Sequence, residues 1–149
     1  MTSRSENQAC LQRHLAAEGR HDMAVTLETL HPECLFEDTP AGLDLHGREG
    51  ARHHYELWWG AFGVGLDAGQ LHWVRDDLVV GEAYFVGTHT GPFLGISPTG
   101  NPIRLPFTVV VGFRDGLLAS ERFTYDLNDL NDLLRQLGQP AFDPRAAAA

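Results

Sequence analysis

The chain is poor in cysteine: among its 149 residues only Cys10 and Cys34 occur. One pair cannot make the framework of a disulfide-stapled small domain, and the two lack metal-ligand spacing, so free thiols in a reducing compartment are expected. Long apolar runs are also missing. None approaches the roughly 20 residues that a bilayer-spanning helix needs, and the polar start Met1-Thr2-Ser3-Arg4-Ser5-Glu6 lacks the apolar core of a signal peptide. A cytoplasmic protein with no membrane partner is expected. Basic residues are few, 11 against 20 acidic ones, giving a formal charge of −9. That charge opposes phosphate backbones and anionic membranes, and no Lys/Arg run breaks the trend, so no nucleic-acid partner is expected. Eight histidines invite a metal, yet no His-Glu-x-x-His occurs, and the adjacent His53 and His54 diverge on a helix. No Gly-rich phosphate loop leads from a strand into a helix. Neither metal nor cofactor is expected.

What is present reads as one globular domain: 43% apolar and 21% charged residues are ordinary proportions for a packed core. The domain is expected over residues 1–138, with 139–149 a flexible tail. From Glu6 to Glu18, Cys10, Leu11, His14 and Leu15 recur at helical spacing, which puts His14 on or beside the apolar stripe, and Gly19 fits the end. A second helix is expected from the N-cap Asp22, carrying Met23, Leu27 and Leu30 inward and stopping before His31-Pro32. A third follows Gly47, with Ala51, Tyr55, Trp58, Trp59 and Phe62 on one face. Residues 60–69 read as a flexible connection. After them the period changes to two: Leu71 to Val74, Leu78 to Thr90, Ile103 to Phe113 and Leu117 to Asp126 are expected strands of an antiparallel meander. In the last strand Leu117, Ala119, Glu121, Phe123 and Tyr125 are expected on one face. Asp126 to Leu137 reads as a final helix that Gly138 ends. Helices before a curved antiparallel sheet predict an α+β fold with helices on one sheet face.

One short strand carries the most pointed signal. In Cys34-Leu35-Phe36-Glu37-Asp38, alternation places Asp38 with Cys34 and Phe36. A carboxylate among apolar side chains is desolvated, which raises its pKa toward the range of a useful proton acceptor. The same residue also suits the start of the Thr39-Pro40-Ala41-Gly42 turn.

The run from Gly87-Thr88-His89-Thr90-Gly91 to Thr99-Gly100, then Phe113-Arg114-Asp115-Gly116 and Leu133-Leu134-Arg135-Gln136-Leu137-Gly138, resembles the SnoaL-like polyketide cyclases. These belong to the nuclear transport factor 2-like superfamily. The resemblance implies a cone-shaped, cystatin-like sheet wrapped around N-terminal helices, with an additional C-terminal helix and an apolar pocket. From Gln12 to Tyr55 the chain is also similar, without a gap, to the ketosteroid isomerases of that superfamily, through Gln12-Arg13, Ala16-Ala17, Asp22, Asp38, Gly47, Arg52 and Tyr55. There the counterpart of Asp38 is the general base, and Tyr55 matches a tyrosine of the hydrogen-bond network. His14 stands where the isomerases place an oxyanion-hole tyrosine, and Val109 where they place a protonated aspartate. Aldol-type cyclases carry a catalytic histidine at the Val109 position and a catalytic aspartate near Phe123. A homodimer formed through the outer sheet face is implied by resemblance.

The catalytic residues expected on these grounds are Asp38 as base and His14, supported by Tyr55, as donor to a substrate oxygen. His14 also suits a partly exposed helix boundary. Phe36, Trp58, Trp59, Phe62, His89, Phe107, Val109, Glu121 and Phe123 are expected to line the pocket. His89 also suits backbone bonding at a strand end, Glu121 suits a second acid or an ion pair with Arg104 or Arg122, and Asp126 suits helix capping. The expected activity is cofactor-independent acid/base chemistry, an isomerase, cyclase or dehydratase of secondary metabolism, on an apolar oxygenated polyketide- or steroid-like small molecule. A non-catalytic small-molecule-binding domain and an epoxide-opening enzyme are the alternatives.

Overall fold

The computed structural model describes residues 3–140; the part of the expected tail at 141–149 lies outside them. The elements follow in the order α1 (Arg4–Gly19), α2 (Met23–Glu28), β1 (Leu30–Asp38), β2 (Leu43–His46), α3 (Gly47–Phe62), β3 (Gly65–Arg75), β4 (Leu78–Thr88), β5 (Pro102–Arg114), β6 (Leu117–Thr124) and α4 (Leu127–Gln136). The strands form one curved sheet in the order β2-β1-β6-β5-β4-β3. The meander β3 to β6 is antiparallel, as expected, but β1 joins β6 in parallel. That pairing brings the first half of the chain beside the last strand.

Local chemistry fixes the helix ends. Ser3 and Glu6 form a reciprocal capping box at the start of α1, and Asp22 caps α2 through the Val25 N–H. Gly63, in the left-handed region, closes α3 by donating its N–H to Trp59 O at 2.8 Å. Asp126 accepts from Asp129 N at 2.7 Å and caps α4.

Three expectations change. Leu30 is the first residue of β1, not the last apolar contact of α2, because the pairing with β6 starts there and shifts between Leu30 and Leu35. Pro32, which has no N–H to give to a ladder, fits that irregular stretch. Residues 65–69 are not a free connection but the start of edge strand β3, bulged between Asp67 and Gln70. In β6 the ladder pairs Gly112 with Ser120 and Phe113 with Leu118, leaving Ala119 as an extra residue. This bulge changes parity, so Leu118 is buried with Glu121, Phe123 and Tyr125, whereas Leu117 and Ala119 are only half-buried.

The core lies between α3 and the concave sheet face. Trp58 stacks on Phe85, whose ring stacks in turn on Phe107 with centroids 3.9 Å apart. The Gly-Thr-His-Thr-Gly run passes under the C-terminal end of α3. A Cβ on Gly91 would stand 2.1 Å from Gly60 O, while Thr90 N and Gly91 N both donate to Ala61 O. Gly91→Ala must therefore part the loop from the helix. A loss of about 2 to 4 kcal/mol is expected in chemical denaturation, and wild-type stability would refute this packing.

Candidate active site

Between α1, α3 and the sheet lies a cavity of about 450 Å³. Its apolar surface includes Trp59, Phe85, Phe107, Val109, Val111 and Phe123, and its polar groups include His14, Glu18, His54, Tyr55 and Glu121. Two hydrogen-bonded systems are built from these polar side chains.

The first centres on His14, which α1 turns inward beside Leu11 and Ala17. Its ring Nε2 lies 2.9 Å from Glu18 Oε1, one helical turn on, and 3.0 Å from Glu121 Oε1 on β6. Its Nδ1 meets Thr29 Oγ1 at 2.7 Å, and that hydroxyl spends its own proton on Thr26 O. Nδ1 must therefore donate, and Nε2 faces two carboxylate oxygens, so both nitrogens carry protons. Burial disfavours the charged ring, but the Glu18 charge and the hydrogen bonds to Glu121 and Glu18 outweigh it and hold His14 up at about 10. Tyr55 donates to Glu18 Oε1 at 2.9 Å and stands 3.2 Å from His14 Nε2. Burial and the Glu121 and Glu18 charges push its phenol well above the usual tyrosine value, so it stays a donor.

The two carboxyl groups differ. For Glu18, burial is outweighed by the adjacent His14 charge and hydrogen bond, which hold it below the usual carboxylate range. For Glu121, burial pushes the value up and His14 offsets it only in part, with the Glu18 charge adding to the rise. Of the two carboxyl groups, Glu121 is thus the one that takes up a proton more readily.

The second system centres on Asp38, which is 1% exposed. Its Oδ2 accepts from His54 Nε2 at 3.0 Å and Trp58 Nε1 at 3.1 Å. Its Oδ1 accepts from Tyr125 OH at 3.1 Å and Ala41 N at 3.3 Å. Only donors surround it, the pattern of an ionised carboxylate. Asp38 is walled off from the cavity; His54, on α3, lines it instead.

Of the residues expected at the site, His14, Tyr55, Trp59, Phe107, Val109, Glu121 and Phe123 line the cavity. Asp38, Phe36, Trp58, Phe62 and His89 do not. Phe36 is covered edge-on by His54 and Tyr55. Trp58 and Phe62 pack against Phe93, outside the cavity wall. His89 is fully buried under its own loop, where Nδ1 accepts from Thr99 N at 3.2 Å. Glu121 pairs with neither arginine: Arg104 binds Asp67 and Arg122 binds Glu37 on the outer surface. Asp126 is the helix cap. Glu18 and His54 line the cavity without being among the site residues expected from the sequence. Their signals were the His14-x-x-x-Glu18 spacing and the place of His54 beside Ala51, Tyr55 and Trp58 on the inward stripe of α3.

His14, Glu18 and Glu121 bring one nitrogen and two oxygen ligand atoms within 4.8 Å of one another, enough to hold a divalent cation. A cation there would have to displace the Nε2 proton that both carboxylates hold in place. Cys34 is no alternative nucleophile, since burial and the Glu121 charge push its thiol up to about 11.

A curved sheet closing on helices around one apolar cavity with a few buried polar groups is the ketosteroid isomerase-like architecture. Such a fold is seen in a Catenulispora acidiphila protein solved with trimethylamine, at 19% identity and a TM-score of 0.72, covering 89% of this chain and 94% of that one. The family model of the SnoaL-like polyketide cyclases matches residues 8–137, and the chain belongs to that family. TsrD from Streptomyces laurentii is 29% identical, with a TM-score of 0.75 and coverage of 93% of this chain and 98% of TsrD. A candidate polyketide cyclase from Xanthomonas campestris pv. campestris superposes with a TM-score of 0.79 at 17% identity, covering 91% of this chain and 99% of that one. Comparison with curated proteins gives no match. No helix among the described residues is long and apolar enough to cross a membrane.

Proposed function

We propose that this protein is an acid/base enzyme of the isomerase or cyclase type, working with its own side chains on an apolar molecule that carries a carbonyl oxygen. The observation that supports this reading is Glu121, a carboxyl group raised by burial in an apolar cavity and set 3.0 Å from a protonated histidine. In its neutral form Glu121 donates to the substrate oxygen. The His14 charge then stabilises the carboxylate left behind, and Tyr55 fixes Glu18 so that the imidazolium keeps its place. Polarising a carbonyl acidifies the adjacent C–H, the step shared by double-bond migration and aldol-type ring closure. The flat apolar walls at Phe107, Val109 and Phe123 suit a ring system rather than a chain of charged groups. Asp38, with its lone pairs committed and off the cavity, takes no part as proton acceptor in this reading.

The probe is α-tetralone, an apolar ring ketone whose α-hydrogens exchange with D2O on enolisation, followed by NMR. The wild-type protein is expected to accelerate exchange above buffer. Glu121→Gln keeps the shape and removes the proton, and a fall of about 10²-fold is expected. Equal exchange by the two proteins would overturn the role of Glu121. Tetralone binding without exchange would support a binding domain instead.

A further inference from the structure

His14, Glu18 and Glu121 are the one group among the described residues that brings three metal-ligating side chains together. Their spacing suits coordination without rearrangement. Ligands about 2.0 to 2.2 Å from one ion stand about 2.8 to 3.6 Å apart when they are neighbours around it. His14 Nε2 lies 2.9 Å from Glu18 Oε1 and 3.0 Å from Glu121 Oε1. The supporting contacts are also in place. A metal-bound histidine gives its other ring N–H to an acceptor, which fixes the tautomer. Thr29 Oγ1, whose own proton goes to Thr26 O, takes the Nδ1–H of His14 at 2.7 Å and leaves Nε2 as the ligating nitrogen. Tyr55 donates to Glu18 Oε1 at 2.9 Å and holds that carboxylate in place. Charge favours a dication. No arginine lines the cavity and the chain has no lysine, so the His14 imidazolium is the positive charge in contact with the two carboxyl groups. With both acids ionised the cluster is one positive charge short, and a divalent ion on a neutral imidazole balances it. The way in is from the cavity. Glu18 keeps 17% of its side chain exposed, and all three residues line a chamber of about 450 Å³, which has room for water on the remaining positions of an ion.

We propose that His14, Glu18 and Glu121 form a binding site for Zn²⁺ or a similar divalent transition-metal ion, taken up in exchange for the protons the cluster otherwise holds. A ring nitrogen beside two carboxylate oxygens selects this class over Mg²⁺ and Ca²⁺, which take oxygen ligands alone. The Nε2 lone pair forms the bond to the ion, and the proton it carried leaves to the buffer. Nothing is oxidised or reduced. The consequence for activity rests on the acid role proposed for Glu121. A carboxylate that ligates an ion has no proton to donate, so the ion-loaded and the acid forms exclude one another. Zn²⁺ is then a switch that turns the acid off on the same three residues.

Calorimetric titration of the full chain with Zn²⁺, joined to nitrogen NMR of isotope-labelled histidines, tests the site. The expected result is one ion per chain on His14 Nε2, with Nδ1 still protonated, and no displacement by a large excess of Mg²⁺. Glu121→Gln and Glu18→Gln, with the fold checked by circular dichroism, are each expected to weaken binding by about 10²-fold, and Tyr55→Phe by about 10-fold. The exposed pairs His72–Glu82 and His46–Asp44 offer two ligands each and serve as internal controls. Zn²⁺ that perturbs only those histidines, no binding at all, or equal affinity in Glu121→Gln would each overturn the proposal. In the exchange assay Zn²⁺ is expected to slow the wild type to the rate of Glu121→Gln, and a chelator to restore it. The two readings fail separately. Zn²⁺ on His14 with undiminished exchange sinks the acid role of Glu121 and leaves the site, whereas exchange that needs Glu121 in a protein taking no Zn²⁺ at His14 sinks the site and leaves the acid.

Discussion

His14→Gln is expected to destabilise the protein by on the order of 3 to 5 kcal/mol at pH 7, because removing one partner of a buried ion pair leaves the other charge uncompensated. Here two carboxyl groups are left, Glu121 with 6% of its side chain exposed and Glu18 with 17%. The pH dependence has a definite sign. His14 is raised in the folded protein, from 6.5 to about 10, so its contribution is complete below about 6.5 and is lost as pH rises through about 10. The gap between wild type and variant, read from denaturant titrations, should therefore be widest near pH 6.5, narrow as pH rises, and close above pH 10. The chain contains no lysine, so the other side chains that titrate in that window are its two cysteines and three tyrosines, which wild type and variant share. A gap that stays constant from pH 7 to 10.5 would show that His14 is not an imidazolium in the fold.

The second large effect is expected at Asp38. Asp38→Ala strands the His54, Trp58 and Tyr125 donors and the Ala41 N–H inside the core. Each buried donor without a partner costs about 1 to 3 kcal/mol. Some relief through rearrangement keeps the expected total near 4 to 6 kcal/mol, enough to unfold a domain of ordinary stability. Asp38→Asn retains one acceptor oxygen but turns an NH2 group toward donors, so about half that loss is expected. The check is the denaturation midpoint of both variants, with Trp58 fluorescence as the local probe. An Asp38→Ala protein within 1 kcal/mol of wild type would mean that the four contacts carry no stability.

These two residues also show what could be read before the structure. Alternation in Cys34 to Asp38 correctly turns Asp38 inward, and the 3.6-residue period correctly turns His14 and Tyr55 inward. Periodicity separates inside from outside. It cannot separate packed interior from cavity wall, because that depends on which side chains of another element close over the position. His54 and Trp58 of α3 cover Asp38, while nothing comparable covers Glu121. The partner of Glu121 was misjudged for a related reason. Arg122 is adjacent in sequence but points to the opposite sheet face, whereas His14 arrives from the first helix through the parallel β1–β6 pairing. His54 shares the inward stripe of α3 with Ala51, Tyr55 and Trp58, while the adjacent His53 faces solvent. The family resemblance located the fold, and Asp38, which it matches to the isomerase base, stands off the cavity in this structure.

The extra residue at Ala119 governs the sign of the cavity. Leu117 is tied to Arg114 across the Asp115-Gly116 hairpin turn, so parity counted from that turn without a bulge would direct Arg122 and Thr124 inward and Glu121 and Phe123 outward. The odd spacing between Leu118 and Glu121 holds both on the concave side only because the ladder skips once. A register slip that absorbed Ala119 into regular pairing would exchange a carboxyl group for a guanidinium group at the site. The chamber would then meet His14 with a like charge. One unpaired residue in a strand thus decides which kind of polar group stands in the same shell of aromatic walls.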